Sequence, residues 1–161
     1  MKKFLHWQKF NLAFLALMMF TSYSGIGQTT YTSFTEGACI IDMGVTPQTK
    51  NNAIAPYGLV YDLITNHSIP IYWIIDPNKS FISTSSKTDQ SDITITGTTT
   101  RNGNTSVTKS LYAGPFLIPA EYMEDAYQVI EEWQSNRNGL TVYWNLDAIT
   151  NAPVEGVITT F

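Results

Sequence analysis

The stretch from Ala38 to Asp76 constrains the fold of this chain more than any other. It reads Ala-Cys-Ile-Ile-Asp-Met-Gly, then Ala-Pro-Tyr-Gly-Leu-Val-Tyr-Asp-Leu-Ile, then Ile-Pro-Ile-Tyr-Trp-Ile-Ile-Asp: an apolar run, an amphipathic run and a second apolar run. Ile69 to Ile75 shows no polar alternation, so both of its faces must be covered, as they are in parallel strands flanked by helices. In the middle piece Tyr57, Val60, Tyr61 and Ile64 share one helical face, joined by Leu59 and Leu63. Pro56 suits the first helical position, because its missing N–H would have no helical partner there. Gly58 weakens such a helix by roughly 1 kcal/mol relative to Ala, but lets it approach the sheet closely. The spacing predicts a β-α-β unit.

The rest of the chain repeats the theme after an interruption. Asp76-Pro77-Asn78 is a turn, and Lys79 to Ser110 becomes rich in Ser, Thr, Asn and Asp. Within it Asp92 to Thr96 and Ser106 to Ser110 alternate around Arg101-Asn102-Gly103-Asn104, a hairpin signal. We read 79–110 as a solvated β-hairpin insertion without a core of its own. Tyr112 to Ile118 is again an apolar strand. Ala120 to Arg137 is the clearest helix, with Tyr122, Met123, Ala126, Tyr127, Ile130 and Trp133 on one face and acids in its first turn. Leu140 to Trp144 is a further strand, and Gly156 to Phe161 a short last one. The expected fold class is α/β: a mostly parallel sheet flanked by helices, with an inserted hairpin, forming one domain over 38–161 after a linker at 28–37.

The first 27 residues carry three of the nine basic residues and none of the thirteen acids, and Phe10 to Phe20 is apolar but too short to span a bilayer. This is the pattern of a secretory signal peptide, with Gly25 and Gly27 ahead of a cleavage before Gln28. The 134 residues that remain suit one domain with its own core. Their balance of six bases against thirteen acids, −7, repels polyanions and excludes nucleic acid as a partner. The membrane is a partner only through an uncleaved signal peptide. Cys39 is the sole cysteine, so no internal disulfide is available, and its apolar setting makes it a buried small hydrophobe rather than a reactive thiol.

No catalytic motif accompanies this scaffold, and no cofactor is expected. The turn where a nucleophile would stand reads Ile118-Pro119-Ala120-Glu121, and His67 is the one histidine outside the signal peptide. A phosphate loop is missing after the first strand, where Gly44 stands alone. Asp76-x-Asn78-x-Ser80 starts like a calcium loop, but no glycine follows at the sixth position and Lys87 replaces the bidentate acid. In an open parallel sheet, ligands bind beyond the carboxyl ends of the strands. That places Asp76, Asn78, Glu121, Asn145 and Asp147 as candidate ligand-binding residues, with Asp76, Glu121 and Asp147 as an alternative carboxylate set for a cation. Trp73, Tyr72, Tyr143 and Trp144 would stack on a glycan if they faced solvent; their place in apolar strands points to core packing.

At Ile41-Asp42-Met43-Gly44-Val45, Ala55 to Leu63, Ile69 to Trp73 and Gly114 to Tyr122 the chain resembles the amino-terminal region of large exported proteins of gliding-type Bacteroidetes. Many of these carry later adhesion-type β-domains and a sorting signal for type IX secretion. The resemblance implies a secreted or cell-surface protein with a fold similar to the flavodoxin-like or class I glutamine amidotransferase-like group. It departs in the Thr/Asn-rich hairpin region and at Phe161, where such proteins run on, so a fragment or shortened relative is expected, with a further chain segment or partner completing the sheet. The expected function is that of a non-catalytic structural or binding module of the cell surface, with a surface protein or a glycan as partner. The alternatives are an active or degenerate amidotransferase-like enzyme, a metal-dependent hydrolase, and a glycan-binding module.

Overall fold

The computed structural model describes residues 29–79, 90–136 and 139–160. The signal-peptide reading therefore falls outside the described residues. In chain order the elements are β1 (Thr30–Phe34), β2 (Ala38–Ile41), α1 (Lys50–His67), β3 (Ile71–Ile74), β4 (Ile93–Thr98), β5 (Ser106–Leu111), β6 (Phe116–Ile118), a 3-10 turn (Ala120–Tyr122), α2 (Met123–Asn136), β7 (Val142–Leu146) and β8 (Ile149–Ile158). The strands form one sheet in the order β1-β8-β3-β6-β2-β7-β4-β5. Every neighbouring pair is antiparallel.

This overturns the mostly parallel, flavodoxin-like or amidotransferase-like three-layer sheet. Each unit does run strand, helix, strand along the chain, but the two units interleave in the sheet. β2 and β3 run parallel to each other with antiparallel β6 between them, and β6 and β7 run parallel with β2 between them. The four central strands thus make a double split β-α-β, the ferredoxin-like topology. The hairpin β4–β5 extends it beyond β7, and β8 with β1 extends it beyond β3.

β2 is buried on both faces and β3 only in part, with Tyr72 half-buried and Trp73 exposed, and the burial has a different cause from the one expected. In β2, Cys39 and Ile41 face both helices together with Ile71, Phe116, Ile118 and Val142; Leu59, Leu63, Ala126 and Ile130 close that layer. Ala38 and Ile40 point the other way, into a second cluster with Ile74, Leu117, Tyr143, Ile93, Ile95, Leu111 and Val154. The sheet curls so that its own hairpin and the start of β8 cover the face that a second helix layer would otherwise bury. The hairpin is therefore part of the core, not a solvated insertion. Gly97 makes its approach to β7 feasible: a Cβ there would lie 2.6 Å from Leu146 Cδ2 and 2.7 Å from the Trp144 carbonyl.

Two element boundaries moved for local reasons. Thr30–Phe34, expected as a linker, is an edge strand that pairs with β8. Helix α1 begins at Lys50, six residues before Pro56, because Thr49 and Asn52 form a capping box: Thr49 Oγ1 accepts the Asn52 N–H at 3.2 Å, and Asn52 Oδ1 accepts the Thr49 N–H at 2.6 Å. Gly58 meets the other helix rather than the sheet, with the Trp133 indole filling the space over it.

Candidate functional site

Curling leaves a seam between β4 and the first half of β8, and along it lies a groove of about 600 Å3. Its two ends are fixed by hydrogen bonds. At one end Ile75 N–H donates to the Pro153 carbonyl at 3.0 Å, and Asp76 N–H donates to Asp92 Oδ1 at 3.2 Å. At the other, Asp147 N–H donates to the Thr96 carbonyl at 2.9 Å. The walls are Asp92 to Thr96 and Asp147 to Pro153, with Tyr31 of β1 on the outer rim. Tyr31 pairs with Pro153 and is 59% exposed.

Of the expected site residues, Asp76, Asn78 and Asp147 all line this groove. Asp76 Oδ1 accepts from the Asn78 backbone N–H at 2.9 Å and from its amide at 3.2 Å, so the two residues form one turn at the Asp92 end. Asp147 stands at the Thr96 end, four residues further along β4, about 13 Å at the usual rise of a strand. Glu121 is elsewhere: it is exposed on the 3-10 turn before α2, on the helical layer. The reasoning that grouped these acids assumed parallel strands, whose carboxyl ends coincide; in this sheet β3 and β6 end on opposite sides. Among the described residues no three His, Cys, Asp or Glu groups come together as a metal set.

Asn145 has a structural task. It adopts φ +47° at a bulge in β7, where Ala38 opposes Leu146 and Ile40 opposes Tyr143. Its amide donates to the Arg101 carbonyl at 2.6 Å and to Thr98 Oγ1 at 3.4 Å, fastening the hairpin turn to β7.

The groove's most buried polar group is Asp92, whose side chain has no exposure. Oδ2 accepts from Lys79 Nζ at 2.8 Å and from the Gly114 N–H at 2.8 Å, while Lys79 also donates to the Tyr112 carbonyl. The Lys79 charge is thereby held inside the protein, and among the described residues the groove lining contains three aspartates with no lysine or arginine. Tyr31, Asp92 and Asn151 were missed as site residues. For Tyr31 a signal existed, since Thr-Tyr-Thr-Ser-Phe is rich in residues that favour strands. Nothing local marks Asp92, because its role depends on Lys79 and Gly114.

Reactive groups lie away from the groove. His67 Nε2 is 4.0 Å from Asp62 Oδ1 at the end of α1. Cys39 is fully buried, and burial pushes its thiol well above the ordinary range. Among the tryptophans, Trp144 is core, and the Trp133 indole N–H donates to Asp62 Oδ2 at 2.7 Å. Trp73, 38% exposed, stacks on Phe116 at 6.2 Å with its N–H on the Gly114 carbonyl. The edge of Tyr57 meets the same Phe116 ring at 6.0 Å, which gives a short aromatic shelf on the helical side. The chain matches no protein-family model, no curated protein and no solved structure.

Proposed function

We propose that this protein is a secreted or cell-surface module that binds its ligand in the seam groove and does no chemistry on it. The observation that carries the reading is the composition of the groove: carboxylates, carboxamides and hydroxyls held on rigid strand ends, with the only described histidine on the other layer. Hydrolytic nucleophiles need a base within hydrogen-bond reach, and the hydroxyls of Thr94 and Thr96 instead pair with Ser110 and Thr108 at 2.9 and 3.1 Å. Export is supported by the basic then apolar first 27 residues.

Two measurements test it. Residues 1–27 fused to a reporter enzyme should carry it out of the cytoplasm of a Gram-negative host, and the fusion should lose the leader at Gln28. The purified mature chain should turn over no member of a panel of esters, amides and glycosides. Turnover that disappears in Asp147→Asn would overturn the non-catalytic reading.

A further inference from the structure

We infer that the seam groove is a saccharide site for neutral sugars, with Tyr31 as the stacking platform and Asp76, Asn78, Asp147 and Asn151 as the groups that bind hydroxyls. The inference rests on the binding reading above and narrows the ligand by elimination on charge, polarity and backbone geometry.

Charge comes first. The described lining carries Asp76, Asp92 and Asp147, and among the described residues the ammonium beside it, Lys79, is engaged by Asp92 and the Tyr112 carbonyl. A phosphate, sulfate or uronate entering the groove would meet carboxylates and, among the described residues, no free cation. Apolar ligands fit no better. Of the aliphatic groups of the walls, Ile93, Ile95 and Ala152 are buried in the second core cluster; Ala148 and the half-buried Ile149 are small apolar patches in a lining that is otherwise mostly carboxylate, carboxamide and hydroxyl.

An extended peptide adding a strand to the seam is the other ligand a curled sheet suggests. The β8 wall is poorly built for it. Pro153 has no N–H, and its carbonyl is already taken by Ile75; Asn151 sits at φ +56°, which breaks the even pairing a ladder needs. A chelated cation is excluded by the spread of the acids, since ligands to one ion lie within about 2.6 Å of it.

A neutral sugar satisfies each constraint. Its hydroxyls donate to the Asp76 and Asp147 carboxylates and exchange both donor and acceptor roles with the amides of Asn78 and Asn151. Its C–H face needs a flat, apolar partner at the rim, and Tyr31 offers an open ring beside the groove. About 600 Å3 lies inside the range of small-ligand pockets and accommodates a short oligosaccharide end.

The test is isothermal titration calorimetry of the mature chain against neutral oligosaccharides of hexoses, pentoses and N-acetylhexosamines. Uronate-bearing and sulfated oligosaccharides and strand-forming peptides run in parallel. Tyr31→Ala and Asp147→Ala alter exposed side chains, and unchanged thermal midpoints establish that both variants fold. At least one neutral oligosaccharide should bind in the millimolar range or tighter, with affinity falling tenfold or more in Tyr31→Ala and several-fold in Asp147→Ala, and the anionic sugars should not compete. Failure of every neutral sugar to bind overturns the inference. Sugar binding that survives both variants but is lost in Trp73→Ala overturns it too, and moves the ligand to the aromatic shelf with the binding reading intact. Binding of a peptide but no sugar also refutes the saccharide while leaving a binding module. Cleavage of a bound sugar, lost in Asp147→Ala, is the separate outcome that defeats the non-catalytic reading and leaves the saccharide site in place.

Discussion

Asp92 illustrates how a single carboxylate can hold three loops. It joins the end of β3 and the turn after it through Asp76 N–H and the Lys79 ammonium, whose other contact is the Tyr112 carbonyl, and the segment after β5 through Gly114 N–H. Removing the ammonium alone would leave a buried anion with two backbone donors. Lys79→Met should therefore cost about 3–5 kcal/mol in urea unfolding, and adding Asp92→Asn should recover a large part of it by removing the stranded charge. A loss below about 1 kcal/mol in the single variant would show that the pair is solvated. Asp42 is a contrasting case: burial raises its carboxyl above the ordinary range, opposed by the Gly44 N–H at 2.7 Å and by attraction to Lys109. Folding then favours the protonated form, so the carboxylate costs stability in full above its folded pKa, and that cost fades as pH falls toward the unfolded value of about 4. Relative to the parent, Asp42→Asn should gain stability as pH rises from 4 to 7, read as a widening gap between thermal midpoints; a gap independent of pH would count against the assignment. The sequence exposed Asp76, Asn78 and Asp147 because turn-forming acids and amides after apolar runs are locally visible. Asp92 was not visible, because its partners lie in other segments, and Tyr31 was visible only as part of a strand-favouring run, since its place on the groove depends on pairing with β8.

At the level of elements, the helices were legible and their neighbours were not. The face of α2 that packs inward contains Ala126 and Ile130, as its 3.6-residue spacing requires, with Tyr122, Met123, Tyr127 and Trp133 around it. What periodicity could not give was the contact between α1 and α2. A Cβ on Gly58 would lie 2.6 Å from Trp133 Cη2 and 2.8 Å from Cζ3, and the indole cannot swing away cheaply while its N–H is bonded to Asp62. Gly58→Ala should gain about 1 kcal/mol in helix propensity but lose more to overpacking, for a net destabilisation of about 1–2 kcal/mol in chemical denaturation. Combining it with Trp133→Leu should relieve the clash, so that Gly58→Ala measured in that background becomes neutral or stabilising. An additive pair would mean that the two helices can slide apart. The start of α1 teaches a related lesson: Pro56 looked like a helix beginning, but a Thr49–Asn52 box further upstream completes the first turn, and the proline is accommodated inside.

For the whole molecule, an unbroken apolar strand reports only that both of its faces are buried, not what buries them. Two arrangements satisfy that report here, helices on both sides of a parallel sheet or helices on one side and the sheet's own edge folded over the other, and the choice between them lies in pairings distant along the chain. The polar look of β4 and β5 misled for the same reason: Thr94, Thr96 and Thr108 are on the outer face, while Ile93, Ile95 and Leu111 are buried. These two arrangements differ in a measurable consequence. If the hairpin closes the second cluster, Ile95→Ala should cost about 2–4 kcal/mol, within the range for truncating a buried isoleucine, and should lower the single unfolding transition of the entire chain. Hydrogen exchange should then show the β4 amides that bond to β5 strongly protected together with those of β2 and β6, rather than opening early as a separate unit. A hairpin that exchanged early, with Ile95→Ala leaving the main transition unmoved, would mean that the sheet does not curl and that the seam groove does not exist as a rigid site.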